Sequence, residues 1–382
     1  MTPEGLHERL ERGGSVSLLD VRNRDEHDAW HVDGEGVETT LVPYSKFMAA
    51  AARGDVAETA REAGLDPENP VVVVCGRGEA SAFVADRLRE AGFEAENLDD
   101  GMRGWARVYV SVVVPADVNA VIHQYRRPAS GCLAYFVVSD SEAAVIDPLR
   151  QFTERYVTDA REYGADLVYA LDTHVHADHV SGVRRLAAET DATAVYPEGA
   201  RDRGLDVDAA AEFVADGDEI RVGDATLTAV HAPGHTSEMT AYRLGDMLFS
   251  GDSLFVESVA RPDLEVGDEG ATDAARQLYG TLRTVFDEFH DDVRVAPAHY
   301  GDAADRRTDG TYSAYLGDLR DGLPLLMLSE ERFVEAVLSD MPPRPANYED
   351  IIATNLGLSE VADAEAFELE LGPNNCAVSQ AD

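Results

Sequence analysis

Short apolar segments alternate with helix-like segments along the first hundred residues. Ser15–Val21 and the unbroken apolar run Val71–Cys75 predict strands, and Glu79–Ala91 has the apolar spacing of an amphipathic helix. Glu94–Leu98 predicts another short strand. Strands that alternate with helices in this way are typical of a small α/β domain with a parallel sheet. We place this domain at residues 1–112.

A second domain is predicted at residues 118–382, after an apolar join at 110–117. Leu133–Val138 and Ala143–Asp147 predict a hairpin, and several later apolar segments each run into a polar loop. The chain becomes mostly helical from about Tyr312, which predicts a helical C-terminal extension. The pattern as a whole indicates an α/β domain followed by an α+β domain.

Three histidines and a carboxylate fall within six residues, in the run His174–His179. The apolar segment Leu167–Asp172 predicts a buried strand before this run, and Ser181–Thr190 predicts a helix after it. The cluster therefore occupies a strand-to-helix loop, where side chains can converge on one point. Imidazole nitrogen and carboxylate oxygen suit zinc, iron or manganese, whereas the alternative is a polar loop with unconnected histidines. Three further metal-capable side chains follow other predicted strands: His235, Asp252 and His299.

These residues, in this order, resemble the metallo-β-lactamase superfamily over roughly residues 118–350. The longer strings Leu171–Gly182, His231–Thr236 and Gly251–Phe255 resemble the persulfide dioxygenases within that superfamily. Ala260–Leu264 resembles the same family. The resemblance implies a four-layered αββα sandwich with its metal site at the sheet edge.

The resemblance implies one Fe(II) per chain, bound by His174, His235 and Asp252. Two histidines and one carboxylate are the ligand set of non-haem iron oxygenases, and they leave coordination positions open. The implied reaction is the oxidation of a low-molecular-weight thiol persulfide by O₂ to the thiol and sulfite, with Asp178 carrying a proton. Four side chains would surround the ligands and orient them and water: His176, Asp178, His179 and His299.

The same four residues complete a two-metal hydrolytic site in glyoxalase II relatives, where a bridging hydroxide attacks a thioester. Spacing alone leaves this alternative open, with two Zn(II) or iron ions as the cofactor. Arg261-Pro262-Asp263-Leu264 favours the oxygenase, as does the lack of the basic C-terminal motif that glyoxalase II uses for glutathione. A third alternative is a non-catalytic sulfur-carrier or scaffold protein with a structural metal. Arg261 is predicted either to bind a substrate carboxylate or to pair with Asp263.

Cys75 stands between an apolar run and a helix in the first domain. Backbone N–H groups at a helix start favour thiolate over thiol, and Arg77 would add positive charge for a substrate. Leu18–Arg22 and Asn97–Trp105 resemble the opening and closing signatures of rhodanese-like domains. The resemblance implies a sulfurtransferase that carries sulfane sulfur as a persulfide on Cys75. Ala80 replaces the usual loop arginine, so a vestigial domain that only binds or docks stays open as the alternative.

The fusion of these domains indicates linked sulfur handling, with a small persulfide, O₂ and donor or acceptor thiols as partners. The sequence determines neither the thiol carrier nor the direction of sulfur flow. It shows no basic patch for nucleic acid, no apolar run of membrane-spanning length, and a polar N-terminus unlike a signal peptide. A cytoplasmic location is therefore expected. A homodimer is compatible with the resemblance, because family members are often dimers.

Acidic residues are spread along the whole chain and give it a formal net charge of −41, from 73 acidic and 32 basic side chains. Lys46 is the single lysine. Dispersed acid and scarce lysine resemble the proteins of salt-in halophiles, in which salt screens the self-repelling surface. We therefore expect Tm to rise between low and molar KCl in a thermal unfolding series; a Tm that stays constant would contradict this expectation.

Overall fold

The computed structural model describes residues 1–339 and 341–378, which divide into two compact units. The end of the predicted second domain, 379–382, lies outside the described residues. The first unit comprises Met1–Tyr109, Arg127–Ser130 and Leu371–Pro373. The second comprises Val110–Arg126, Gly131–Glu370 and the residues from Asn374. Every helix in the described ranges is too short or too polar to span a bilayer.

The first unit contains a four-stranded parallel sheet, which confirms the predicted α/β domain. Its strands are β1 (Val16–Asp20), β2 (Val37–Leu41), β3 (Val71–Val74) and β4 (Ala95–Asn97). The strand order is β2-β1-β3-β4, and β3 is buried along its whole length because its four valines lie at the centre of the sheet. Its helices are α1 (Pro3–Glu11), α2 (Arg24–Ala29), α3 (Tyr44–Arg53), α4 (Val56–Glu62), α5 (Glu79–Glu90) and α6 (Gly101–Trp105).

The second unit contains two sheets. One has the order β11-β10-β9-β8-β7-β6-β5 and the other β12-β13-β14-β15-β16-β17, numbered along the chain. The first sheet consists of β5 (Val110–Val114), β6 (Val121–Arg127), β7 (Cys132–Ser139), β8 (Glu142–Ile146), β9 (Asp166–Leu171), β10 (Thr193–Pro197) and β11 (Glu212–Val214). The second consists of β12 (Glu219–Val222), β13 (Ala225–His231), β14 (Thr240–Leu244), β15 (Met247–Gly251), β16 (Arg294–Pro297) and β17 (Ala314–Tyr315).

Apolar side chains from both sheets form one buried cluster, in which Tyr135 of β7 meets Phe249 of β15 with ring centroids 4.9 Å apart. A second apolar cluster joins residues of the second sheet to helices, for example Leu248 to Leu278 and Phe333. Helices cover the sheets, which confirms the predicted sandwich. The helices of this unit are α7 (Thr153–Tyr163), α8 (Val183–Glu189), α9 (Gly267–Gly280), α10 (Leu316–Gly322), α11 (Glu330–Ser339), α12 (Tyr348–Asn355) and α13 (Asp363–Leu369).

The segment 110–117, predicted as a join, is largely strand β5. It pairs antiparallel with β6 from Val110 to Val114 and forms one edge of the larger sheet. Val114 is buried, whereas Val113 points outward and is 53% exposed. The apolarity of this segment therefore comes from a half-buried edge strand, and the second unit begins at Val110.

Candidate metal centre

Three predicted metal ligands meet at one end of the sandwich. His174 lies on the loop after β9, His235 on the loop after β13, and Asp252 directly after β15. Nε2 of His174 is 3.8 Å from Oδ2 of Asp252, and Nε2 of His235 is 3.6 Å from the same oxygen. All three side chains are buried. These separations suit two or more ligands of one ion that lies about 2.0–2.2 Å from each donor atom.

Two of the donor atoms that face this point have no hydrogen-bond partner among the described residues. They are His174 Nε2 and Asp252 Oδ2, and both are buried. Such atoms are rare in proteins unless a water or an ion satisfies them. Burial, together with His176 and His235, lowers the pKa of His174 well below its usual value, so the imidazole is neutral, as a metal ligand must be. The donor set therefore fits a divalent transition metal.

Hydrogen bonds on the opposite ring edge orient both histidines. The Thr173 hydroxyl donates to Asp147 over 3.0 Å and lies 2.9 Å from His174 Nδ1, from which it accepts. Nδ1 of His235 donates to the backbone carbonyl of Arg261 over 2.8 Å. Each ring therefore presents the lone pair of Nε2 to the centre, and the partners of Nδ1 hold the rings in that orientation.

His299 bridges two carboxylates and is not among the three converging donors. Its Nδ1 lies 2.6 Å from Oδ1 of Asp252, and its Nε2 lies 2.8 Å from Oδ2 of Asp178. Burial alone would lower the pKa of His299, but Asp178 and Asp252 outweigh burial and raise it well above the usual value. Both ring nitrogens therefore donate, and the ring holds Asp252 so that its Oδ2 stays directed at the centre.

Asp178 collects hydrogen bonds from three neighbours through one oxygen. Besides His299, its Oδ2 accepts from Cys132 Sγ over 3.1 Å and from His179 Nδ1 over 3.1 Å. Burial would lower the pKa of His179, but Asp178 raises it to about 9. Cys132, Asp178, His179 and His299 form a second group whose donor atoms could hold a metal. Sequence spacing gives no signal for Cys132, since nothing near it in the sequence is a ligand.

His176 lies apart from the first group. Its Nε2 is 3.1 Å from Asp147 and 3.6 Å from Asp172, and the three residues form a group of their own. Burial would lower the pKa of His176, but Asp147 raises it well above the usual value. This ring is therefore held by carboxylates on one edge and lies beside His174, with ring centroids 4.2 Å apart and ring planes tilted by 54°.

The C-terminal segment brings a thiol to the carboxylate ligand. The backbone carbonyl of Cys376 accepts from Arg261 N over 2.9 Å, and Val378 N donates to Val259 over 2.9 Å. Cys376 Sγ thereby joins a group with Asp252 and His299. Burial and the carboxylate of Asp252 raise the pKa of Cys376 well above its usual value, so its thiol is neutral. Sequence spacing carried no signal for this contact.

Arg261 is engaged within the protein on every side. It is 2% exposed and pairs with Asp263, with Nε 2.7 Å from Oδ1. Its NH1 nitrogen donates to the carbonyls of Pro342, Pro343 and Asn375 over 2.9, 2.9 and 3.2 Å. This is the structural ion pair that the sequence offered as the alternative to substrate binding. A guanidinium with these partners stabilises the loop that also orients His235.

In the first unit, Cys75 occupies a pocket of hydrogen-bond donors. Its Sγ accepts from Gly78 N and from the Ser81 hydroxyl, each over 3.1 Å. Ser81 is a contributor to this pocket that the signature did not indicate. Arg77 lies exposed on the same loop. A side chain at Gly101, where φ is +56°, would put its Cβ 2.0 Å from the Cys75 carbonyl oxygen, so the closing signature needs glycine there.

Glu257 is a buried acid near His299. Its Oε1 accepts from Gly301 N over 2.6 Å, and burial raises its pKa to about 7. Since the folded state binds the proton more tightly than the unfolded chain, this group destabilises the fold increasingly as pH rises from about 4.5 through 7.

We expect Glu257→Gln to be more stable than the parent at pH 8. Its advantage in the free energy of unfolding should be about 2 kcal/mol larger at pH 8 than at pH 5, as linkage across these pKa values requires. Denaturant unfolding at both pH values measures the difference. An advantage of equal size at pH 5 and pH 8 would contradict the assignment.

Models of two protein families match this chain. The model of the metallo-beta-lactamase superfamily matches residues 127–320, and the model of the rhodanese-like domain matches residues 2–108. The first match covers just over half of the 382 residues, so the chain belongs to the metallo-beta-lactamase superfamily. It carries a rhodanese-like domain at its N-terminus. Both resemblances drawn from the sequence are confirmed.

Among its relatives, the chain is similar to persulfide dioxygenase ETHE1, mitochondrial, of Homo sapiens, at 28% identity over 244 residues, which is 62% of this chain and 87% of that protein. The crystal structure of ETHE1 from Myxococcus xanthus matches with a TM-score of 0.54 at 27% identity, covering 63% of this chain and 99% of that one. The hydroxyacylglutathione hydrolase of Methylococcus capsulatus is 38% identical over 150 residues, which is 39% of this chain and 53% of that protein.

Proposed function

We propose that this protein oxidises a low-molecular-weight persulfide with O₂ at a single Fe(II) held by His174, His235 and Asp252, and releases the thiol and sulfite. The observation that carries the proposal is the set of converging donor atoms, two imidazole nitrogens and one carboxylate oxygen, of which His174 Nε2 and Asp252 Oδ2 lack other partners in the described chain. This is the ligand set of iron oxygenases. The similarity to ETHE1 supports the same reaction.

The bound iron would supply electrons to O₂ and a position for the persulfide sulfur. The chain's own residues then have three tasks. The rings of His174 and His235 are oriented by Thr173 and the Arg261 carbonyl. His299 anchors Asp252, and burial of these side chains keeps bulk water from their donor atoms.

Asp178 and His299 form the proton-handling pair of this proposal. The reaction R–S–SH + O₂ + H₂O gives R–SH and sulfite, and it releases protons that a neighbouring group must take up. The contact of 2.8 Å between His299 Nε2 and Asp178 Oδ2 places one proton between an imidazole and a carboxylate at the edge of the centre. Asp178 is therefore the proposed proton carrier, in contact with the ligand Asp252 through His299.

A dinuclear thioester hydrolase is the second candidate. It is favoured by the group of Cys132, Asp178, His179 and His299, in which Asp178 Oδ1 and His179 Nε2 have no partner within the described residues. Zn(II) or iron would suit these donors. The similarity to hydroxyacylglutathione hydrolase covers a shorter stretch of the chain. The contacts of His299 disfavour the dinuclear site, because both of its ring nitrogens already bind carboxylates.

The reaction itself distinguishes the two candidates. With glutathione persulfide as the probe, an oxygen electrode should record uptake of one O₂ per persulfide, and sulfite should appear in the same amount. The matched assay uses S-lactoylglutathione under the same conditions, which should remain intact. Hydrolysis of the thioester without O₂ uptake on the persulfide would overturn the proposal in favour of the hydrolase.

We further propose that the rhodanese-like domain transfers sulfane sulfur through a Cys75 persulfide. The thiolate attacks a donor such as thiosulfate, forms an S–S bond and releases sulfite, and an acceptor thiol later removes the outer sulfur. The donors Gly78 N and Ser81 Oγ stabilise the sulfur that carries the negative charge.

We expect Cys75→Ser to abolish sulfur transfer from thiosulfate or a persulfide donor to a thiol, because serine forms no persulfide. O₂ uptake on added glutathione persulfide should be unchanged, since it needs only the metal centre. Ser81→Ala serves as a partial variant that lowers transfer without removing the nucleophile. Full transfer by Cys75→Ser would remove Cys75 from the mechanism.

A further inference from the structure

The loop that carries His174 and Asp178 has no strand ladder to hold it. It runs between β9 and α8. Backbone bonds reach it from Thr240 N to the Thr173 carbonyl and from Arg150 N to the Val180 carbonyl, and side chains bind several of its other backbone groups. Near its start, Thr173 N donates to Asp147 Oδ1 over 2.7 Å. Val175 N donates to Glu238 Oε1 over 2.9 Å. Asp147 and Glu238 both lie within the part of the chain that the superfamily model matches.

The later half of the loop is bound in addition by side chains from beyond that part of the chain. The side-chain amide of Asn355, at the end of α12, donates to the carbonyls of His176 and His179, each over 2.9 Å. Its Oδ1 accepts from Ser181 N over 2.9 Å. Glu370, just after α13, accepts from Val180 N over 3.2 Å. Asn355 and Glu370 are called the C-terminal clamp below.

The clamp provides hydrogen-bond partners for buried backbone groups that lie outside the helices and strands. Asn355 is 7% exposed and Glu370 4% exposed, so water is a poor substitute for either. Asn355 uses its two N–H hydrogens and its carbonyl on one stretch of six residues, from His176 to Ser181, and so sets the direction of three peptide planes. Peptide planes fixed in this way also fix the side chains between them, including Asp178.

We propose that the C-terminal clamp is a positioning element of the metal centre, so that metal affinity depends on Asn355 although Asn355 touches no metal ligand side chain. The helices α12 and α13 then belong functionally to the centre, because they hold the histidine loop in its metal-binding conformation. The inference rests on the metal site of the proposed function but not on the reaction at that site.

Titration of the full-length apo-protein with Co(II), followed by its visible absorption bands, tests the clamp without turnover. We expect Asn355→Ala to weaken Co(II) binding about 10-fold, the lower end of the effect of losing a group next to a ligand, because Asn355 acts on the ligand Asp252 through Asp178 and His299. Asn355→Asp should weaken it at least as much, although the side chains have the same shape. An oxygen would then face the carbonyls of His176 and His179, while the contact with Ser181 N is kept.

Thr354→Val is the matched control. Its hydroxyl donates to Asp350 O within α12 over 2.8 Å and does not bond to the histidine loop. This variant disturbs the same helix, one residue away, and should bind Co(II) like the parent. Equal loss in Thr354→Val and Asn355→Ala would mean that general helix stability is responsible, and it would overturn the proposal.

Circular dichroism of each apo-protein first establishes that it is folded. Should Asn355→Ala fail to fold, the pair Glu370→Ala and Glu370→Gln decides, because glutamine keeps an acceptor for Val180 N and alanine does not. Weaker Co(II) binding in the alanine variant alone supports the clamp, and equal binding in both overturns it. A parent protein that binds Co(II) but oxidises no persulfide contradicts the proposed function and leaves the clamp intact.

Discussion

His235→Ala is expected to lose Fe(II) and persulfide oxidation together, by more than the roughly 100-fold that removal of an outer partner can cost. The reason is geometric, since His235 Nε2 lies 3.6 Å from Asp252 Oδ2 and supplies one of three converging donors. Without it, His174 and Asp252 offer two donors, too few to hold the ion firmly. Iron per chain after anaerobic reconstitution and O₂ uptake on glutathione persulfide measure both losses.

His231→Ala is the matched control for this experiment. His231 belongs to the same loop string but is exposed, and its Nε2 bonds to the backbone carbonyl of Ser237 over 3.1 Å. It should retain iron and activity. A His235→Ala protein that still bound one iron and consumed O₂ would contradict the assignment of this ligand.

Arg261→Ala is expected to destabilise the fold by about 3–5 kcal/mol, the usual cost of removing one partner of a buried ion pair. Asp263 would keep only the more exposed Arg344 as a charged partner, and the carbonyls of Pro342, Pro343 and Asn375 would lose theirs. Denaturant unfolding of the apo-protein measures the change directly.

Arg276→Ala provides the comparison for Arg261→Ala. Arg276 pairs with Asp273 at the surface, with both side chains more than half exposed, so its loss should cost less than about 1 kcal/mol. The opposite pattern for Arg261, unchanged stability with a raised KM for an acidic persulfide, would restore the interpretation that Arg261 binds a substrate carboxylate.

The converging ligands could be predicted because each follows a strand. Apolar segments end shortly before His174, His235 and Asp252, and the ends of these strands meet at one end of the sandwich. Because these residues are histidines and an aspartate, their convergence predicted a metal site. By contrast, β2 had no clear pattern, since Val37–Leu41 has no buried position to produce an alternation.

Long-range contacts could not be predicted in the same way. Cys132, Cys376 and Asn355 reach the centre from distant segments, and no periodicity links them to the histidine loop. The partner of Arg261 could not be predicted either, because a guanidinium binds the carboxylate of a substrate and that of Asp263 equally well. The position of its partners, and not its type, determines its role.

The central claim is that one iron, held by three residues, is enough for persulfide oxidation. The most direct test is to titrate the anaerobic apo-protein with Fe(II) and to record the rate of O₂ uptake on glutathione persulfide at each step. The rate should rise linearly and reach its plateau at one equivalent of iron per chain. A plateau at two equivalents, or metal-dependent thioester hydrolysis without O₂ uptake, would contradict the claim.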